Sequence, residues 1–285
     1  MKRLIVTADD FGLTIPVNEA VEDGHGRGIL TAASLMVTGE AAGDAVARAR
    51  RLPRLGVGLH LVLVDGVPVL PPEQIPDLVG RDGKFSANVL TQGVRIFCLP
   101  AARRQLAAEI RAQLEAFRAT GLALDHVNAH HHFHLHPTIQ RELLRLAGEF
   151  GIRAVRLPLE PPRASGHRGA WLSGFLETRH ARGLKRRLEV AGIAHNDWIF
   201  GLADTGAMTS ERVLRYLEEL PEGVSELYFH PATVRPSVWP AHYRCQAEHQ
   251  ALIDPAAAAV IARRGIAAMP FAGLELLRPA AAAER

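Results

Sequence analysis

Short apolar runs alternate with helix-period segments along nearly the whole chain, and this alternation restricts the fold more than any other feature. Strand-like runs fall at residues 3–7, 30–37, 57–63, 123–127, 153–157, 198–200, 226–229 and 266–269. Between them lie helical patterns with readable ends. Residues 101–120 repeat Leu106, Ile110, Leu114 and Phe117 on one face and stop at Gly121. Residues 137–150 place Ile139, Leu143, Leu146 and Phe150 on one face and stop at Gly151. Asp254-Pro255 reads as an N-cap followed by proline in the first turn, leading to Gly265. Strands joined by crossover helices form a mainly parallel sheet. Seven or eight such units in 285 residues suit a (β/α) barrel or a distorted, incomplete one, with an open doubly wound sheet as the alternative.

No internal repeat or domain boundary interrupts the pattern, so residues 1–285 read as one domain. Residues 158–187, rich in proline, glycine and arginine, break the rhythm and read as a loop or helical insertion. The alanine-rich end, 279–285, reads as a frayed tail. The net charge of +3 rests on scattered arginines, with no basic run interleaved with aromatics, which argues against a nucleic-acid partner. Two cysteines, Cys98 and Cys245, make no disulfide framework and fit a reducing compartment. Only Leu4-Ile5-Val6 separates Met1-Lys2-Arg3 from an acidic pair, too little for a signal core, and no run nears the ~20 apolar residues of a membrane span. The expected location is the cytoplasm, with contact at the inner face of the membrane left open, as is a homo-oligomer.

The chemistry-bearing residues sit where strands end. Asp9-Asp10 follows the first run, and in parallel α/β folds the site forms at the C-terminal strand ends. Adjacent carboxylates project apart, so one can ligate a metal while the other faces water; the competing reading is an N-cap for the helix near residues 16–24. His60 lies inside an apolar run, where a satisfied core histidine is the competing reading. Six of the fourteen histidines fall in residues 126–136, at the end of the fourth run. Imidazole is the commonest protein ligand for zinc. An extended loop would put His130, His132 and His134 on one side, whereas a solvated chelating loop is the alternative. His230 follows Phe229 and precedes Pro231, a position suited to general acid or base work or simply to a surface turn.

The segments Thr7-Ala8-Asp9-Asp10-Phe11-Gly12, Gly58-Leu59-His60, Asn128-Ala129-His130-His131-His132-Phe133-His134 and Phe229-His230-Pro231 together resemble the YdjC-like (chitooligosaccharide) deacetylases. Similarity runs on through residues 28–34 and most of the first 240 residues, and is nearest to the hopanoid-biosynthesis-associated branch. The resemblance implies a distorted (β/α) barrel of seven strands, related to polysaccharide deacetylases, holding one divalent metal ion. Carried over by position, Asp10, His60 and His130 are the metal ligands, Asp9 the general base and His230 the general acid. Arg156 is similar to an arginine that orients the base. His132, His134 and Asn128 are candidates for contacts to substrate or to the ligands. One departure stands out: His126-Val127-Asn128-Ala129 occupies the place of the family's His-x-Asp-Ser, so an amide replaces a carboxylate.

The resemblance points to hydrolysis of the N-acetyl group on an N-acetylglucosaminyl hopanoid lipid, with a soluble chitooligosaccharide as the alternative substrate. Two histidines and a carboxylate suit zinc, while magnesium, manganese, nickel or cobalt are also compatible. Aromatic and basic residues of the insertion, Trp171, Leu172, Phe175 and Leu176 with Arg163, Arg168, Arg179, Arg182, Lys185, Arg186 and Arg187, could cover a lipid or touch anionic headgroups. Two other readings compete: a metal-dependent phosphoesterase, which would call for a second metal and more carboxylates, and a non-enzymatic metal-binding protein.

Overall fold

The apolar runs pair side by side. A computed structural model describes residues 1–161 and 171–277, and in it the chain forms, in order, β1 (Lys2–Phe11), α1 (Ile15–Arg27), β2 (Ala32–Leu35), α2 (Ala42–Arg51), β3 (Gly56–Leu61), α3 (Val89–Cys98), α4 (Pro100–Ala119), β4 (Val127–Ala129), α5 (Pro137–Phe150), α6 (Trp171–Ala191), β5 (Trp198–Phe200), α7 (Ser210–Glu219), β6 (Gly223–Phe229), α8 (Cys245–Ile253), α9 (Pro255–Arg263) and β7 (Ala267–Ala268). The strands lie in the order β4-β3-β2-β1-β6-β5, with β7 against the start of β1, and every ladder is parallel. β1 is central because Leu4, Ile5, Val6 and Ala8 are wholly buried, as a strand covered on both faces requires.

Register decides where chemistry can occur. Ala8 pairs with Phe229, Leu35 with Leu59 and His60 with Asn128. The C-terminal ends of β1, β3, β4 and β6 therefore meet at one rim, which is where parallel α/β folds place their sites. Helix ends follow the sequence signals: Gly151 caps α5 in the left-handed region, and the Asp254 side chain accepts from the Ala256 N–H at the start of α9.

Two expected strands need correction. The run at 123–127 joins the regular ladder only at Val127. Just before it the pairing with β3 is irregular, with the Asp125 N–H bonded to the Val57 carbonyl and the Leu59 N–H to the His126 carbonyl, while the Asp125 carboxylate accepts from the N–H groups of Phe271 and Ala272. The run at 153–157 is no strand. The Asn196 carboxamide takes both the N–H and the C=O of Leu157, at 2.7 and 2.8 Å, where a neighbouring strand would have bonded. Only isolated bridges, Val127 with Val155 and Ala154 with Ala194, span this side. The architecture is thus an α/β fold with a parallel-strand half-barrel whose open side is crossed by single bridges. α3 has no counterpart among the expected helices.

Helix α6 occupies most of the expected insertion, burying Ala181, Leu184 and Leu188 against the body. Arg163, Arg168, the side chains of Trp171, Leu172, Phe175 and Leu176, and the 279–285 tail lie outside the described residues. Among the described residues, no helix is long and apolar enough to cross a membrane.

Gly58 leaves room for the ring of His126, its neighbour across the β3–β4 pair, to lie over β3. A Cβ there would stand 2.5 Å from the His126 ring, inside any tolerable contact. Gly58→Ala should therefore cost about 1–3 kcal/mol by overpacking, read as a lowered denaturation midpoint at unchanged m-value. A midpoint within error of the parent would contradict this packing.

Candidate active site

Asp9 and Asp10 lie near the end of β1, both buried. Asp10 has φ +60°, in the left-handed region, and its carbonyl accepts from the Leu13 N–H. That twist sends the two carboxylates apart. Neither caps α1, whose N-cap is Thr14, so the capping alternative is set aside.

The Asp10 Oδ1 faces His60 Nε2 at 3.2 Å and His130 Nδ1 at 3.3 Å. These donor atoms lie within 4.8 Å of one another. Asp10 Oδ1 and His60 Nε2 are buried without any hydrogen-bond partner, which is costly unless something else occupies the space between them. Asp10, His60 and His130 thus form a triad able to hold a metal ion, and one carboxylate with two imidazoles suits a divalent cation. The other Asp10 oxygen accepts from the Trp239 indole N–H at 2.9 Å.

Asp9 belongs to a different network. Arg156 donates to both of its oxygens, at 2.6 and 2.9 Å, and also donates to Glu226 at 2.7 and 2.9 Å. Arg156 and Glu226 are fully buried. Burial alone would raise the Asp9 pKa, but the Arg156 guanidinium, helped by His60, outweighs it and holds Asp9 well below the usual carboxylate range. Burial works against Asp10 too, and there His130 and His60 reverse it.

Asn128 links the two networks. Its NH₂ donates to Asp9 at 3.0 Å and to Ser34 at 2.9 Å, and its oxygen accepts from His60 Nδ1 at 2.7 Å. His60 must then carry its proton on Nδ1, leaving the Nε2 lone pair for a cation. Ser34 is bonded to His126 Nε2 at 2.9 Å, and His126 Nδ1 to Asp125 at 2.8 Å.

The histidine run is not extended. It forms a short 3₁₀ segment in which His131 and His132 have φ +53° and +51°, so alternation fails and the side chains diverge. His130 joins the triad, and His131 turns outward to Asp65 at 3.4 Å. His132 lines the cavity with its ring edge on Tyr228. His134 points inward and donates to the Arg156 carbonyl at 3.0 Å, and burial pulls its pKa down to about 3. It therefore supports the backbone of Arg156 and does not line the cavity.

His230 is buried beside Tyr228, Trp239 and Tyr243, with Nδ1 unpartnered. Burial lowers its pKa against the pull of Asp10 and Asp9. Its backbone N–H donates to Glu248, whose carboxyl burial pushes up to about 7. The sequence does not single out Trp239, Glu226, Ser34 or Glu248 as site residues, although Glu226 opens one expected strand and Ser34 ends the 28–34 segment. A charged residue within a buried strand could have flagged Glu226; Trp239 and Glu248 carry no local pattern. The rim opens on a cavity of about 850 Å³ lined by Asp9, Asp10, His60, His130, His132 and His230, with Val62, Phe85, Val238 and Trp239.

The sequence matches the family model described as YdjC-like protein over residues 3–263. A carbohydrate deacetylase of Brevibacillus brevis is 36% identical over 230 residues, covering 81% of each chain. Another, from Geobacillus stearothermophilus, is 31% identical over 268 residues, covering 92% of this chain and 94% of its own. A crystal structure of a protein from Enterococcus faecalis is similar with a TM-score of 0.76 at 25% identity, covering 96% of this chain and 98% of that one.

Removing Arg156 would leave two buried carboxylates facing one another. Arg156→Met should destabilise by about 3–5 kcal/mol near neutral pH. In the parent, Asp9 is held low, so its contribution is present above its unfolded pKa and lost as pH falls. In the variant, burial acts unopposed by the guanidinium and raises the carboxyl, so the penalty grows as pH rises. The gap between parent and variant should shrink when denaturation is repeated near pH 4; a gap independent of pH would refute this account.

Proposed function

The chain belongs to the YdjC-like family, and from that premise we propose that it is a metal-dependent N-deacetylase of an N-acetylglucosaminyl group, carried on a hopanoid lipid. Its carbohydrate deacetylase relatives make it a deacetylase hydrolase. The observation that carries the metal-dependent reading is the triad: Asp10 Oδ1 and His60 Nε2, buried and unpartnered, converge with His130 beside the clamped carboxylate of Asp9. In support of a lipid-borne sugar stand the resemblance to the hopanoid-associated branch and a cavity whose wall mixes Val62, Val67, Phe85 and Val238 with the polar rim. We also read the half-barrel as the distorted seven-stranded barrel of polysaccharide deacetylases, with residues 153–159 as the irregular stave.

A divalent ion held by Asp10, His60 and His130 would lower the pKa of a water molecule and polarise a carbonyl. The protein's own groups do the rest. Asp9 stays ionised, and Arg156 fixes the plane of its carboxylate, so it is a positioned acceptor for the proton of the attacking water. The clamp weakens Asp9 as a base, and what it contributes in return is orientation. Water oxygen bonds to the acetyl carbon, the carbon–nitrogen bond breaks, and the amine leaves with a proton from His230. The low pKa of His230 makes its protonated form a stronger acid toward that amine. Acetate and a free amino sugar result. Asn128 takes no part in bond making; it keeps His60 in the ligating tautomer.

His230→Asn should lower kcat by about 10²–10⁴-fold and leave KM within a few-fold, measured as acetate release; near-normal kcat would remove His230 from the mechanism. Chelation should abolish activity, and reloading with one ion per chain should restore it. Synthetic N-acetylglucosaminyl bacteriohopanetetrol should be turned over at higher kcat/KM than chitobiose. The reverse order would favour a soluble chitooligosaccharide as substrate, and no release from either would undo the proposal.

A further inference from the structure

Helix α3 presents apolar side chains to solvent at a helical spacing. Leu90, Val94 and Phe97 lie at i, i+4 and i+7, and are 76%, 54% and 61% exposed. Val89 and Leu99 flank them and are exposed as well. The opposite face, Gln92 and Ile96, is buried, so α3 already has one side in the core and turns its apolar stripe outward. A surface helix ordinarily covers that outer face with polar residues. Contiguous exposed apolar surface of this kind marks a contact with a protein or a membrane.

What borders the stripe chooses between them. Phe97 meets the ring of His136, the N-cap residue of α5, edge-on at 6.3 Å, and Arg187 of α6 donates to Gln140 in the first turn of that same helix. Helices α3 and α6 therefore flank one area of surface. On α6 the buried positions Ala181, Leu184 and Leu188 leave Arg179, Arg182 and Arg186 exposed on the outer face. Among the described residues, Arg179, Arg182 and Arg186 enter no ion pair. An apolar stripe beside a row of cations matches a bilayer, with side chains entering the acyl boundary and arginines meeting anionic headgroups. A second copy of the chain would bring a like row of arginines toward the first, which repulsion disfavours.

The patch also lies by the cavity mouth. Arg95 of α3 and residues 85–87, just before that helix, line the cavity. We propose that the exposed face of α3, with the basic face of α6, docks this protein on an anionic membrane surface and presents the cavity mouth to sugars carried at the headgroup level. This docking does not depend on the deacetylase reading, because it is measured with no substrate present.

The test is sedimentation of the full chain with vesicles of phosphatidylcholine alone and with a quarter phosphatidylglycerol. The parent should bind the anionic vesicles at least tenfold more tightly than the neutral ones, and lose most of that binding at high salt. Leu90→Ser with Phe97→Ser, and separately Arg182→Glu with Arg186→Glu, should each weaken binding about tenfold or more. All four side chains are exposed, so thermal midpoints should stay at the parent value, which separates lost docking from lost folding. No binding to anionic vesicles, or binding unchanged in both variants, would overturn the proposal. So would a dimer in analytical ultracentrifugation that the serine variant converts to monomer.

Discussion

A guanidinium shut away from water sets the terms for the rest of this structure. Arg156 enters from the irregular segment at 153–157 and meets Asp9 of β1 and Glu226 of β6. Burying any of the three alone would cost several kcal/mol. Together they tie the weakest side of the half-barrel to its most buried strand pair. Such a group does not necessarily add stability over an apolar replacement, but it allows only one seating of the segment. Two carboxylates, Asp9 and Glu226, share this one arginine, while Asp10 stands outside the group against His60 and His130. The negative charge left over lies around Asp10, where a divalent cation would offset it.

The replacement of a carboxylate by Asn128 also has a physical explanation in these contacts. From His60 to Asp125 each hydrogen bond has one direction. His60 Nδ1 donates to Asn128, Asn128 to Ser34, Ser34 to His126 and His126 to Asp125. An ionised aspartate at 128 could receive from His60 but could donate to neither Asp9 nor Ser34. It would also set a second negative charge against Asp9. An amide is the group of this size that serves all three neighbours at once.

Much of this was legible in the sequence because parallel register is unforgiving. Asp9, Asp10, His130 and His230 each follow or end an apolar run, His60 interrupts one, and aligned strand ends bring such residues to one rim. The histidine run was legible in position but not in conformation: two consecutive left-handed residues, His131 and His132, override the alternation an extended loop would give. The segment at 153–157 misled because its hydrophobicity is that of a strand, while its backbone is held by single bridges to Val127 and Ala194 and, at Leu157, by one side chain, Asn196. Trp239 could not be read at all, since its bond to Asp10 spans 229 positions and rests on no periodicity.

The left-handed backbone at Asp10 has a consequence for how this position can vary. Its φ of +60° is tolerated by glycine, asparagine and aspartate and strains nearly every other residue. A cation held by the proposed triad would ask for a negatively charged oxygen at that same place. Aspartate alone meets both demands: glycine and asparagine satisfy the turn but bring no charge, and glutamate brings the charge but not the turn. Drift at this position should therefore end in loss of function without loss of fold. A homologue that has abandoned the chemistry would be recognised by glycine or asparagine here, on an otherwise intact scaffold.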